Sequence, residues 1–186
     1  MKAHPTALVD PGAQVADDVE IGPFCVIGSG VRIGAGCRLG PRVSVRGPAT
    51  LGRNNILHAN VAVGSPDGGP IEIGDDNVLR ESTHVSSPGP KGVTKLGSRC
   101  RFGVWVSLGP ASSVGDEAVL GSFAVLAENG SVENGARIEG QTVIEPGMKI
   151  GRRARVRSQV PVIGDVPEDV LLDGNPAEIQ DAGGRS

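Results

Sequence analysis

The chain has 186 residues, 18 basic against 21 acidic side chains and a formal charge of −3, and only 2% of its residues are aromatic. That length supports one domain with a core of its own. The dearth of rings excludes an interior filled by them, and the charge balance argues against nucleic acid as a main partner. With 29 Gly and 14 Pro the composition nears that of low-complexity chains, which lack a period, so the presence of a period decides the fold class.

The opening, MKAHPTALVD, has no apolar stretch of the signal-peptide kind, and no apolar run anywhere is long enough to span a membrane. A cytoplasmic location without a membrane span is the expectation. From Val9 the period is plain: Val9, Val15, Ile21, Ile27, Ile33, Leu39, Val45, Leu51, Leu57 and Val63 recur every six residues. Four extra residues around Gly64–Gly69 interrupt it, and it resumes at Ile73, Leu79 and Val85. Five more intervene around Ser86–Lys91, and it then runs from Leu96 and Phe102 through Leu108, Leu126 and Ile144 to Val156 and Val162. A second column, four residues after the aliphatic, is small (Ala13, Val19, Cys25, Cys37, Cys100, Ala118), and the residue directly after the aliphatic is often Gly.

A period of six fits neither a helix nor a free alternating strand. It fits a chain that turns a corner every six residues, three sides closing a triangular coil. About eight such coils stacked at strand spacing give a prism roughly 40 Å long. The aliphatic fills each coil, the small residue packs at the corner, and the Gly is expected to supply corners with positive φ. The β-helix should occupy residues 1–166 with loops at about 64–71 and 86–94, and residues 167–186 should form a short cap and tail.

The aliphatic, Gly and small-residue columns resemble those of hexapeptide-repeat proteins, which implies an all-β, left-handed parallel β-helix. Longer stretches resemble one family more narrowly: HPTALVDPGAQV (His4–Val15), VEIGPFCVIG (Val19–Gly28), IEIGDDNVLREST (Ile71–Thr83), TKLG (Thr94–Gly97) and VPEDVLLDGNPA (Val166–Ala177). They are similar to bacterial UDP-N-acetylglucosamine O-acyltransferases, which open lipid A synthesis. The resemblance implies a homotrimer and, as partners, acyl carrier protein and a UDP-sugar. It also implies a general base two residues after Leu108, where this chain has Pro110, followed by Ala111 in place of an acid. Other family histidines fall on Ser86 and Glu145. Proline cannot take a proton.

The residues themselves leave several candidates. Glu128 and Glu145 lie one coil apart and could supply a base, or form a solvated acidic edge. Ser86, Asn129 and Gln141 are candidate substrate contacts, and Asn129, Asn134 and Gln141 are equally good turn residues. Arg152, Arg153, Arg155 and Arg157 form a basic cluster suited to carrier protein or phosphate, or to a solvated face. Histidines 4, 58 and 84 do not supply a zinc set, Cys25, Cys37 and Cys100 read as buried corner thiols, and neither metal nor cofactor is expected. Two functions follow. One is acyl transfer from acyl carrier protein to a nucleotide sugar through a relocated base. The other is a non-catalytic trimeric scaffold or regulatory binding protein derived from that family.

Overall fold

The computed structural model describes residues 1–89 and 92–181, and in it the six-residue period becomes a triangular coil. Most hexads contribute a strand of two residues ending on the inward aliphatic, as in Leu8–Val9, Gln14–Val15 and Glu20–Ile21. Each pairs in parallel with the strand three further on, so the described residues form three sheets of eleven, eight and eight strands. Leu8 stands against Val26 and Gln14 against Arg32, a register of eighteen residues. Across the two interruptions Ala62 stands against His84 and His84 against Ser107, so the register absorbs the extra residues without losing phase. The fold is a left-handed parallel β-helix. Its first face begins at Lys2–Ala3, a rung the aliphatic column does not mark.

The inward aliphatics stack in columns, for example Leu79 on Phe102 on Leu120, all at most 1% exposed. Each such side chain, fully buried, contributes about 1.5–3 kcal/mol of hydrophobic transfer free energy. Phe102 is the one aromatic ring inside; Phe24, Trp105 and Phe123 stand exposed at corners.

Gly30, Gly36, Gly47, Gly135 and Gly147 supply positive-φ turns as expected, but most glycines directly after the aliphatic work differently. Gly22, Gly34, Gly52, Gly74, Gly97 and Gly115 do not have positive φ; that conformation falls two residues later, on Phe24, Gly36, Asn54, Asp76, Arg99 and Glu117. What the glycines answer is close approach between coils. A Cβ on Gly34 would lie 2.6 Å from the Gly52 carbonyl oxygen, and one on Gly97 would lie 2.7 Å from the Asp116 amide nitrogen. The corner itself tolerates non-glycine residues, several of them Asn or Asp, which enter the left-handed region at modest cost.

Some corners are polar and fully buried. Asn77 donates to the Gly97 carbonyl (2.9 Å) and accepts from the Cys100 amide (2.8 Å), while Asn55 donates to Gly74 (2.8 Å) and accepts from the Asn77 amide (3.1 Å). The thiols of Cys25, Cys37 and Cys100 donate to carbonyls of Gly40, Gly52 and Gly115. All three are free, and burial pushes their pKa up, keeping them in the donating form.

Two loops leave the prism, between the strands Ala62–Val63 and Ile71–Ile73 and between His84–Val85 and Thr94–Leu96. They lie on each other: Ser65 N donates to Ser87 Oγ (3.0 Å) and Gly69 N to the Pro88 carbonyl (2.8 Å). Pro90 and Lys91, in the second loop, lie outside the described residues. At the far end Val170–Asp173 joins the first sheet in parallel and turns back as a hairpin with Glu178–Asp181, extending the sheet beyond its last coil; residues 182–186 lie outside the described residues.

Candidate functional site

The second loop and the corner after Leu108 meet at a cleft of about 560 Å³ lined by Pro88, Gly89, Gly92, Pro110, Ala111, Glu128 and Asn129. A buried threonine holds its base together. Thr94 Oγ1 donates to the Ser86 carbonyl (2.9 Å) and accepts from the Ala111 amide (3.0 Å), tying the second loop to the corner. Ala111 and Asn129 turn the successive corners at φ 55° and 56°, and Asn129 N donates to the Pro110 carbonyl (3.0 Å). Pro110 has no donor or titratable group, and Ala111 adds only a methyl. Glu128 is the single titratable side chain lining the cleft among the described residues.

The expected site residues therefore separate. Glu128 and Asn129 line the cleft, and Ser86 meets its base through its carbonyl. Leu126 stands against Ile144, which sets Glu145 beside Ala127 and leaves it one position out of step with Glu128; Glu145 does not line the cleft. Gln141 lies at another corner, accepting from Gln159 (2.7 Å), and Asn134 accepts from the Asp116 amide (3.0 Å).

The arginines divide in the same way. Arg152 bonds Glu168 (2.8 Å), Arg153 bonds Asp169 (2.6 Å) and Arg157 bonds Glu139 (3.0 Å), while Arg155 has no carboxylate partner among the described residues. These pairs, with Lys149 on Glu133 (2.6 Å), make a belt of ion pairs around the last coils. The Lys149 ammonium holds Glu133 below the usual carboxylate range, and the Arg153 guanidinium does the same to Asp169. Burial alone would raise Glu139, but the Ser158 amide and hydroxyl and the Arg157 guanidinium outweigh it, and the carboxyl is lowered. A lowered folded-state pKa stabilises above the unfolded value and is lost as pH falls through the folded one. The unfolding temperature is therefore expected to hold from about pH 8 to 5 and fall below about pH 4. Glu139→Gln should flatten the fall, and melts that stay level down to about pH 3 would contradict this reading.

Of the histidines, His4 Nδ1 bonds the Thr6 hydroxyl (2.9 Å) near the chain start. His58 Nδ1 lies 3.4 Å from Glu81, whose carboxyl is lowered by its own backbone amide and by Arg80 and His58 beside it. Sequence spacing did not suggest this pair. No group of three or more His, Cys, Asp or Glu suited to a metal ion occurs among the described residues, and they contain no helix long and apolar enough to cross a membrane.

The bacterial transferase hexapeptide model (six repeats) matches residues 4–35 and 30–65. Proteins named acyl-carrier-protein–UDP-N-acetylglucosamine O-acyltransferase are similar over most of the chain. The one from Thiobacillus denitrificans is 36% identical over 184 residues, 94% of this chain and 71% of its own length, and that from Stutzerimonas stutzeri is 32% identical over the same shares. The Saccharophagus degradans protein is 35% identical over 127 residues, and there the match spans about half (49%) of the relative. Among solved structures, LpxA from Acinetobacter baumannii superposes with a TM-score of 0.90 at 30% identity, covering 96% of this chain and 73% of that one. The Francisella novicida UDP-N-acetylglucosamine acyltransferase gives 0.90 at 26%, covering 96% and 68%.

Proposed function

Because the chain belongs to the UDP-N-acetylglucosamine O-acyltransferase family of hexapeptide-repeat proteins, we propose that it keeps that family's scaffold as a binding member without its chemistry. The observation that carries this is the cleft itself. By resemblance the family's base position is Pro110, and among the described residues the cleft around it is lined by Pro88, Gly89, Gly92, Ala111, Asn129 and Glu128. A base must sit within hydrogen-bond reach of the proton it takes; the residue at the family's base position cannot accept one, and Glu128, one coil away, is the lone carboxylate among the described lining residues. Geometry for holding a ligand remains, in the stacked loops and the Thr94 clip.

In this reading the ligand is a nucleotide sugar or an acyl group delivered by acyl carrier protein, and the working form is a homotrimer in the cytoplasm. The second face supports association. Its outward column, Leu8, Val26, Ser44, Ala62, His84, Ser107, Val125 and Val143, is apolar or small apart from His84. A second reading, acyl transfer with Glu128 as a relocated base, is favoured by its being the titratable side chain that lines the cleft.

UDP-N-acetylglucosamine titrated into the full chain is expected to bind saturably. Gly89→Trp should abolish that binding with the melting temperature unchanged, since Gly89 lines the cleft and a Cβ there meets no atom within 4 Å among the described residues. Absence of binding, or binding that Gly89→Trp leaves intact, would overturn the assignment of the cleft.

A further inference from the structure

Charged residues that face each other across the coils of this molecule follow a rule with one exception. On the first face Lys2, Glu20 and Arg38 stand in register with alternating sign, at 3.9 and 3.8 Å, and on the third face Glu72 stands against Lys95 at 3.4 Å. Further along the first face Arg137 stands directly against Arg155. Strands in a sheet lie about 4.8 Å apart, and like charges placed opposite each other destabilise the pairing. Both side chains are exposed, and neither bonds a carboxylate among the described residues. Glu139, the carboxylate that lines the same groove among the described residues, is already engaged by Arg157 and by the amide and hydroxyl of Ser158.

The pair lies in a groove of about 490 Å³. Val119 and Leu171 close it along the column, and Gly121 and Gly140 keep its floor free of side chains beside the guanidinium groups. The sequence had set Arg155 with Arg152, Arg153 and Arg157; Arg157 lines the same groove, paired with Glu139, whereas Arg152 and Arg153 do not, and the fold sets Arg155 against Arg137.

We propose that Arg137 and Arg155 form an anion site for a phosphate-bearing small molecule, a phosphomonoester or diphosphate held across two coils. Planar guanidinium forks match phosphate oxygens bidentately, and two forks one coil apart can take one phosphate between them or one phosphate each of a diphosphate. The bound anion supplies the negative charge that a carboxylate supplies elsewhere on the prism. The site stands on charge placement alone and does not depend on the cleft at Pro110, which lies at a different corner.

Inorganic pyrophosphate and inorganic phosphate are the probes, titrated calorimetrically into the full chain, with melting temperature followed in parallel. Saturable pyrophosphate binding is expected, weakened at least tenfold by Arg155→Gln and by Arg137→Gln. Arg153→Gln, which removes the same charge from an arginine already paired with Asp169, should leave it unchanged. Without anion, Arg137→Gln should melt at the same temperature as the parent or higher, because it relieves the like-charge contact, and it should lose the parent's upward shift on adding pyrophosphate. Equal weakening by all three variants would reduce the site to general charge attraction. No binding at millimolar pyrophosphate would overturn the proposal, and so would a change of assembly mass in Arg155→Gln, which would give the arginines to carboxylates of a second copy.

Discussion

Asn77→Ala is expected to lower the stability of the chain by about 4 kcal/mol, because it orphans the Gly97 carbonyl and the Cys100 amide inside the prism, each at roughly 1–3 kcal/mol, and leaves a small void. Asn77 is fully buried and belongs to a ladder in which Asn55 bonds the next corner's backbone in the same way. Water cannot replace the lost partners at a corner closed by the coils on either side. Two neighbours calibrate the effect. Thr142→Val removes one bond, from Thr142 Oγ1 to the Arg157 carbonyl (3.1 Å), and should cost about 1 kcal/mol. Ser112→Ala should be neutral or stabilising, because the buried Ser112 hydroxyl has no partner among the described residues. Chemical denaturation of the three variants checks the order. An Asn77→Ala loss no larger than that of Thr142→Val would mean the ladder does not hold the corner.

Phe102→Ala is expected to cost a similar amount, about 3–5 kcal/mol. The ring is 1% exposed between Leu79 and Leu120, on a coil bounded on one side by the inserted loops. Truncation opens a cavity that strands in continuous register cannot collapse around without shifting every coil beyond it. Phe102→Leu matches the aliphatics that occupy the rest of the column and should cost less than about 1.5 kcal/mol. Trp105→Ala, removing a larger ring that is 61% exposed, should change stability by no more than about 0.5 kcal/mol. If Trp105→Ala destabilised as much as Phe102→Ala, the division between inner and outer rings would be wrong.

The architecture was readable because every inward position faces the same narrow space and must be aliphatic, so the period survives two interruptions. Stacking by eighteen correctly aligned Leu108, Leu126, Ile144 and Val162. What escaped has physical causes. Asn55 and Asn77 break the small apolar corner column, and their fitness rests on backbone groups of the next coil, which no local pattern reveals. The glycines after each aliphatic suggested corners, whereas they permit coils to approach, a property of the stack and not of the turn. The His58–Glu81 pair spans one inserted loop, so its spacing differs from eighteen. Arg155 was grouped with its sequence neighbours because charge runs are read along the chain, while its partner Arg137 lies across the coil. Of the candidate residues, Glu128 and Asn129 line one cleft, and Thr94, which clips the loop to the corner, was missed because a lone threonine carries no signal of its own.

The central claim is that the family scaffold persists here without a base at Pro110. An acyl-transfer assay tests it most directly, with acyl carrier protein as donor, UDP-N-acetylglucosamine as acceptor and enzyme at substrate concentration, run on the parent chain and Glu128→Ala. The account predicts no product above the blank from either. Product from the parent that disappears in Glu128→Ala would contradict it and establish Glu128 as a working base.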